Sequence, residues 1–176
     1  LHDALPILAH DEQRLWSVLT DSIGNSVFEC IVNVWLVAKG ARPGMMVARY
    51  DLTCGKADEQ IRCILDFAKS LNLRWEQTQK YEYIIGTEET MSKFVKDNKG
   101  IGKALGFQCY NHEFYHDHQR NRYSKSIWIE FGEEKVQIVE VADAKLISEQ
   151  ELIAHMNQKI DAIRRVVPED FIVHGE

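Results

Sequence analysis

Three of the chain's seven histidines fall in one short stretch, Cys109-Tyr110-Asn111-His112-Glu113-Phe114-Tyr115-His116-Asp117-His118, beside a cysteine and two carboxylates. Neutral imidazole and thiolate are the donors a borderline ion such as zinc takes, and four of them close a tetrahedral structural site. On a helix His112 and His116 share a face and His118 does not; on a strand all three share one. Cys109 joins them only across a turn. The candidate zinc ligands are therefore His112, His116, His118 and Cys109, at a C-x2-H-x3-H-x-H spacing that matches no standard zinc pattern.

Within that stretch, His112-Glu113-Phe114-Tyr115-His116 spells H-E-x-x-H and resembles the zincin motif over those five residues. The resemblance implies that His112 and His116 hold zinc while Glu113 acts as the catalytic base on a metal-bound water. Departing from that pattern, the following Asp117-His118-Gln119-Arg120-Asn121-Arg122 is polar on all sides, and no third-ligand pattern follows. The same region also interleaves Tyr110, Phe114, Tyr115 and Tyr123 with Arg120, Arg122 and Lys125, as a single-strand binder does when rings stack on bases and cations follow phosphates. Tyr110, Arg120, Arg122 and Tyr123 are the candidate nucleic-acid contacts. Glu113 and Asp117 inside the patch, and a net charge of −6, weigh against that reading.

Two other stretches carry weaker chemistry. Lys99-Gly100-Ile101-Gly102-Lys103-Ala104-Leu105-Gly106 invites a phosphate loop but fails the Walker pattern, with Ala104 after the lysine and Asp97 where the first glycine belongs. Its glycines read instead as tight turns packed against Phe107. Cys54-Gly55-Lys56 precedes a helix whose N-terminus could activate a thiolate, yet no histidine is placed beside it. His155 reads as a packed histidine on the core side of the last helix.

The elements that position these residues follow from hydrophobic period and caps. Residues 11–23 repeat apolar side chains at helical spacing before Gly24-Asn25. Ser26-Val27-Phe28-Glu29 has the form of a capping box, and the apolar run to Ala38 is read as a buried helix stopped by Gly40 and Arg42-Pro43. A strand is expected over 45–50, a helix over 57–71, strands over 73–77 and 81–85, and a short helix opened by Thr87. Residues 127–131 and 135–141 read as a hairpin around Gly132-Glu133-Glu134, with Ile129 and Ile138 buried and both glutamates exposed. Ser148-Glu149-Gln150-Glu151 is a second capping box, opening a long helix with Leu152, Met156, Ile160 and Ile163 inward. Residues 171–173 read as a last strand. The expected fold is α+β, with mixed α/β as the variant: helices on a small mixed sheet with a C-terminal hairpin and long helix.

Residues 1–7 back-translate as CTA CAC GAC GCT CTT CCG ATC, which resembles the end of a short-read sequencing adaptor. They are read as foreign to the fold, the gene as assembled from short reads, and the natural N-terminus and any signal peptide as lost. Residues 8–176 are expected to form a single domain, truncated at its N-terminus. A composition of 45% hydrophobic and 27% charged residues is that of a soluble globular chain, without an apolar stretch of membrane-spanning length. Four cysteines without a CxxC pair suit reduced thiols in the cytoplasm. The functional expectation is a cytoplasmic binding or accessory domain with residues 109–122 as its surface. A protein or small-molecule partner is favoured over nucleic acid, and no membrane. A small zinc hydrolase and a nucleic-acid module are the rivals.

Overall fold

The computed structural model describes residues 25–97, 105–106 and 122–176. Helix α1 (Asn25–Ala38) is apolar round most of its circumference, Glu29 and Asn33 apart, so it must be enclosed rather than laid on a surface. Val27, Ile31, Val34, Leu36 and Val37 have no exposed area at all. It ends where Gly40 takes a φ of 78°: the Gly40 N–H donates to Val37 O at 3.0 Å and the Ala41 N–H to Leu36 O at 2.9 Å. This is the Schellman arrangement, and it satisfies carbonyls that a buried helix end could not leave bare.

The remaining described elements are β1 (Gly44–Val47), α2 (Ala57–Ser70), β2 (Arg74–Gln79), β3 (Glu82–Gly86), α3 (Glu88–Asp97), β4 (Arg122–Phe131), β5 (Glu134–Asp143), α4 (Glu149–Val166) and β6 (Ile172–Gly175). The class is α+β, and in place of one mixed sheet the described residues form two three-stranded antiparallel sheets, ordered β1-β3-β2 and β5-β4-β6. Short loops explain the antiparallel pairing. Each sheet is a tight hairpin that adds one further strand, and a parallel neighbour would have needed a crossover connection.

In the first sheet, alternation divides the strands cleanly. Met45, Val47, Tyr83, Ile85, Trp75 and Gln77 share one face, and Met46, Ile84 and Glu76 share the other. The first set meets α1 and α2; the second meets α3 through Met91 and Phe94. In the second sheet, Ile127, Ile129, Val136, Ile138 and Val173 face inward against the Leu152, Met156, Ile160 and Ile163 stripe of α4. One continuous hydrophobic core joins α1, α2, α4 and both sheets.

The caps follow local chemistry. Ser148 Oγ accepts the Glu151 N–H at 3.2 Å, as the second capping box predicts, and Thr87 Oγ1 accepts the Thr90 N–H at 3.2 Å. The main hairpin departs from expectation in its turn. Phe131 pairs with Glu134, so the loop has two residues rather than three, and Glu134 is half-buried on the strand while Glu133 is exposed. Gly132 at φ 57° leads that loop, the type II′ geometry whose twist suits a hairpin. The expected helix over residues 11–23 lies outside the described residues. None of the described helices is long and apolar enough to cross a membrane.

Candidate functional site

The sequence-nominated cluster lies outside the described residues: Cys109, Tyr110, His112, Glu113, His116, His118 and Arg120 all do, as does most of the glycine-rich stretch before them. Arg122 and Tyr123 are described. They are the first two residues of β4, paired with Asp143 and Ala142, and consecutive strand residues point to opposite faces. Tyr123 packs on the core, so the two do not converge. Cys54 is exposed ahead of α2, and His155 is half-buried on α4. Among the described residues no group of three or more His, Cys, Asp or Glu could hold a metal ion.

The described surface has a groove of about 630 Å³ between α2 and the β2–β3 hairpin. Ile61 and Leu65 of α2 supply its apolar wall, while Asp58, Arg62 and Asp66 stand one turn apart along the exposed helix face. Trp75 and Gln77 of β2, with Tyr83 directly opposite Gln77, form the floor. Lys80 and Tyr81, the two-residue loop joining the strands, close one end, and the Lys80 ammonium lies 5.2 Å from the Tyr81 ring centroid. Tyr81 has a φ of 61°, a left-handed conformation that is rare for an aromatic residue. Among the described residues, the side chains of Asp58, Arg62 and Asp66 make no hydrogen bond or ion pair, and Asp58 stands in the first turn of α2, where a carboxylate suits the helix N-terminus.

A second cluster is buried, and it works on the fold. Lys159 of α4 donates to both oxygens of Glu140, at 2.6 and 2.7 Å, and to the Gly106 carbonyl at 2.6 Å. Glu140 is 3% exposed. Arg42, just before β1, donates through Nη1 to Asn33 Oδ1, and the Asn33 amide donates to the Glu29 carbonyl within α1 at 2.9 Å. Burial pulls Arg42 down to about 10, opposed by the nearby Glu140 charge. Burial lowers Lys159 as well, again opposed by Glu140. The Arg42 Nε is hidden from solvent without a hydrogen-bond partner. These contacts bind β5 and α4 to the Gly106 turn and the Arg42 segment to α1, a role in which each charge is costly to lose.

Neither set of residues was nominated from sequence. Glu140 had a legible signal, since it stands at an inward position of the Val136, Ile138, Glu140, Ala142 alternation. The groove had none, because its residues come from three elements and are ordinary surface types in the one-dimensional pattern. The chain matches no family model, no characterised protein and no solved structure, so the geometry of the groove and of the buried cluster carries the functional argument.

Proposed function

We propose that the chain is a binding or accessory module and that the groove between α2 and the β2–β3 hairpin receives its partner. The observation that supports this reading is the lining itself: Trp75, Tyr81 and Tyr83 beside Asp58, Arg62 and Asp66, whose charges serve no partner within the described fold. Tyr, Trp and Arg are the residues that concentrate at the centres of binding surfaces. Asp58 and Asp66 balance Arg62 and Lys80, so the lining offers no net positive charge to a phosphate chain, which favours a protein or small-molecule partner over nucleic acid. The Cys/His/aromatic segment 109–122 is proposed as the other contact surface of the same module. An exposed thiol at Cys54 suits a reducing compartment, and the module is placed in the cytoplasm on that ground.

Selection of a displayed random peptide library on the intact chain tests the proposal. Binders should lose about tenfold or more in affinity on Trp75→Ala and stay within about twofold on Trp128→Ala, an aromatic on the outer face of the second sheet. Equal effects of the two substitutions would overturn it. A zinc titration separates the module from the hydrolase: about one zinc per chain, lost in both His112→Ala and His116→Ala, would favour the enzyme.

A further inference from the structure

We infer that the groove takes an extended peptide segment, which adds as a strand to the free edge of β2 and presents basic, acidic and basic side chains at alternate positions. The inference rests on the reading of the groove as the partner site. β2 stands at the end of the order β1-β3-β2, and among the described residues no strand lies beyond it. Every residue of β2 except Trp75 is exposed. An edge strand presents a row of backbone donors and acceptors that template another chain, and adjacent pockets then select its alternate side chains. The register shift between Gln77 and Gln79 ends the regular ladder, so addition is confined to residues 74–77.

Helix pitch sets the spacing of the recognised side chains. Asp58, Arg62 and Asp66 are four residues apart, about 6 Å of rise per step. An extended chain returns a side chain to the same face about every 6.6 Å. A peptide paired along the β2 edge, with alternate side chains turned to the α2 side, therefore brings one same-face side chain to each helix charge in turn. Complementarity to Asp, Arg, Asp requires a cation, an anion and a cation. The rings of Trp75 and Tyr83 offer faces along which lysine or arginine stems can lie with their charged heads at the rim.

Tyr81 points the same way. A glycine would hold its left-handed φ without strain, and the tyrosine holds a ring against the groove at a steric cost.

The test uses a blocked peptide alternating threonine with lysine, glutamate and lysine, and its charge-reversed counterpart, titrated into the intact chain by calorimetry. The first should bind about tenfold or more tightly than the second, and the preference should invert in the triple variant Asp58→Lys, Arg62→Glu, Asp66→Lys. Binding should slow amide exchange at residues 74–77, and N-methylation of alternate peptide amides should abolish it. Tyr81→Gly should weaken binding while the fold stays intact. If binding is lost in Trp75→Ala but shows neither charge preference nor protection of β2, the groove stands as the partner site and strand addition is wrong. Binding indifferent to Trp75→Ala removes the groove reading itself. Failure of both peptides to bind, or β2 edges that pair two copies of the chain into a dimer, would overturn the inference.

Discussion

The two sheets have the same number of strands and the same antiparallel construction, yet their hairpins are built differently. The β4–β5 hairpin pairs ten residues on each strand without a break and turns through Gly132 at a φ that glycine holds freely. Its strand β5 packs beside α1, whose Glu29 is half-buried there. The β2–β3 hairpin is shorter, shifts register near its tip, and turns through a tyrosine in the left-handed region. Its edge is exposed and borders a groove with unpaired charges. Regular pairing and a comfortable turn are what stability alone selects. Strain, an open edge and unused charge persist where something other than stability is served.

The largest test of that contrast is Ile129→Ala. Ile129 is 1% exposed at the centre of the second sheet, and its truncation should destabilise by about 2–5 kcal/mol in chemical denaturation. Trp75→Ala, at a half-buried floor position of the groove, should cost clearly less stability despite removing a larger side chain. A reversed order would mean that the first sheet, not the second, carries the fold.

Glu140→Gln is the next largest. It leaves the Lys159 ammonium without its anionic partner and near the Arg42 guanidinium, while the side chain is only 22% exposed. Removing one member of a fully buried pair costs about 3–5 kcal/mol, and partial exposure of Lys159 should bring the loss to about 2 kcal/mol. Glu140→Gln with Lys159→Met should recover part of it. A loss below about 0.5 kcal/mol for Glu140→Gln would show that the pair is solvated.

The two turns should respond with opposite tolerance. Gly132→Ala meets no atom within 4 Å, so its cost is that of the backbone alone, about 1–2 kcal/mol for a left-handed residue. Tyr81→Gly should leave stability within about 0.5 kcal/mol, relief of strain offsetting the greater freedom of glycine in the unfolded chain. A large loss on Tyr81→Gly would make the ring a structural support and remove one argument for its place in the groove.

What could be read in advance divides along the same line. The α1 run, the α4 stripe, the Ser148 cap and the Ile127, Ile129, Ile138 alternation are short-range patterns, and each survives in the structure because period and burial agree. The exposure assigned to Glu134 failed because turn length decides which residue first joins the ladder, and Gly-Glu-Glu is compatible with two loop lengths. The open edge of β2 was not legible, since edge position depends on which strands pair, a property of topology rather than of the strand. The histidine stretch shows the converse: a dense local pattern at residues 109–118 whose meaning depends on convergence with distant residues, which spacing alone does not supply.

The smallest effect concerns the half-buried Glu29 on the helix that packs beside β5. Burial raises the Glu29 carboxyl above its ordinary 4.5, the Gln137 N–H opposes that rise, and the neighbouring Asp51, itself raised by burial, adds to it. A carboxyl whose pKa is higher folded than unfolded binds its proton more readily in the fold, so its stabilising contribution is complete below the unfolded value and is lost as pH rises through the folded one. Glu29→Gln removes the titration while keeping the size and polarity of the side chain. Wild type should therefore gain stability relative to Glu29→Gln as pH falls from neutrality toward 4.5, and the difference should level off below it. Paired denaturation curves of the two proteins across that range check the sign. A difference that grows toward higher pH would mean that the ionised carboxylate is favoured by the fold, and that α1 meets β5 with a charge rather than in spite of one.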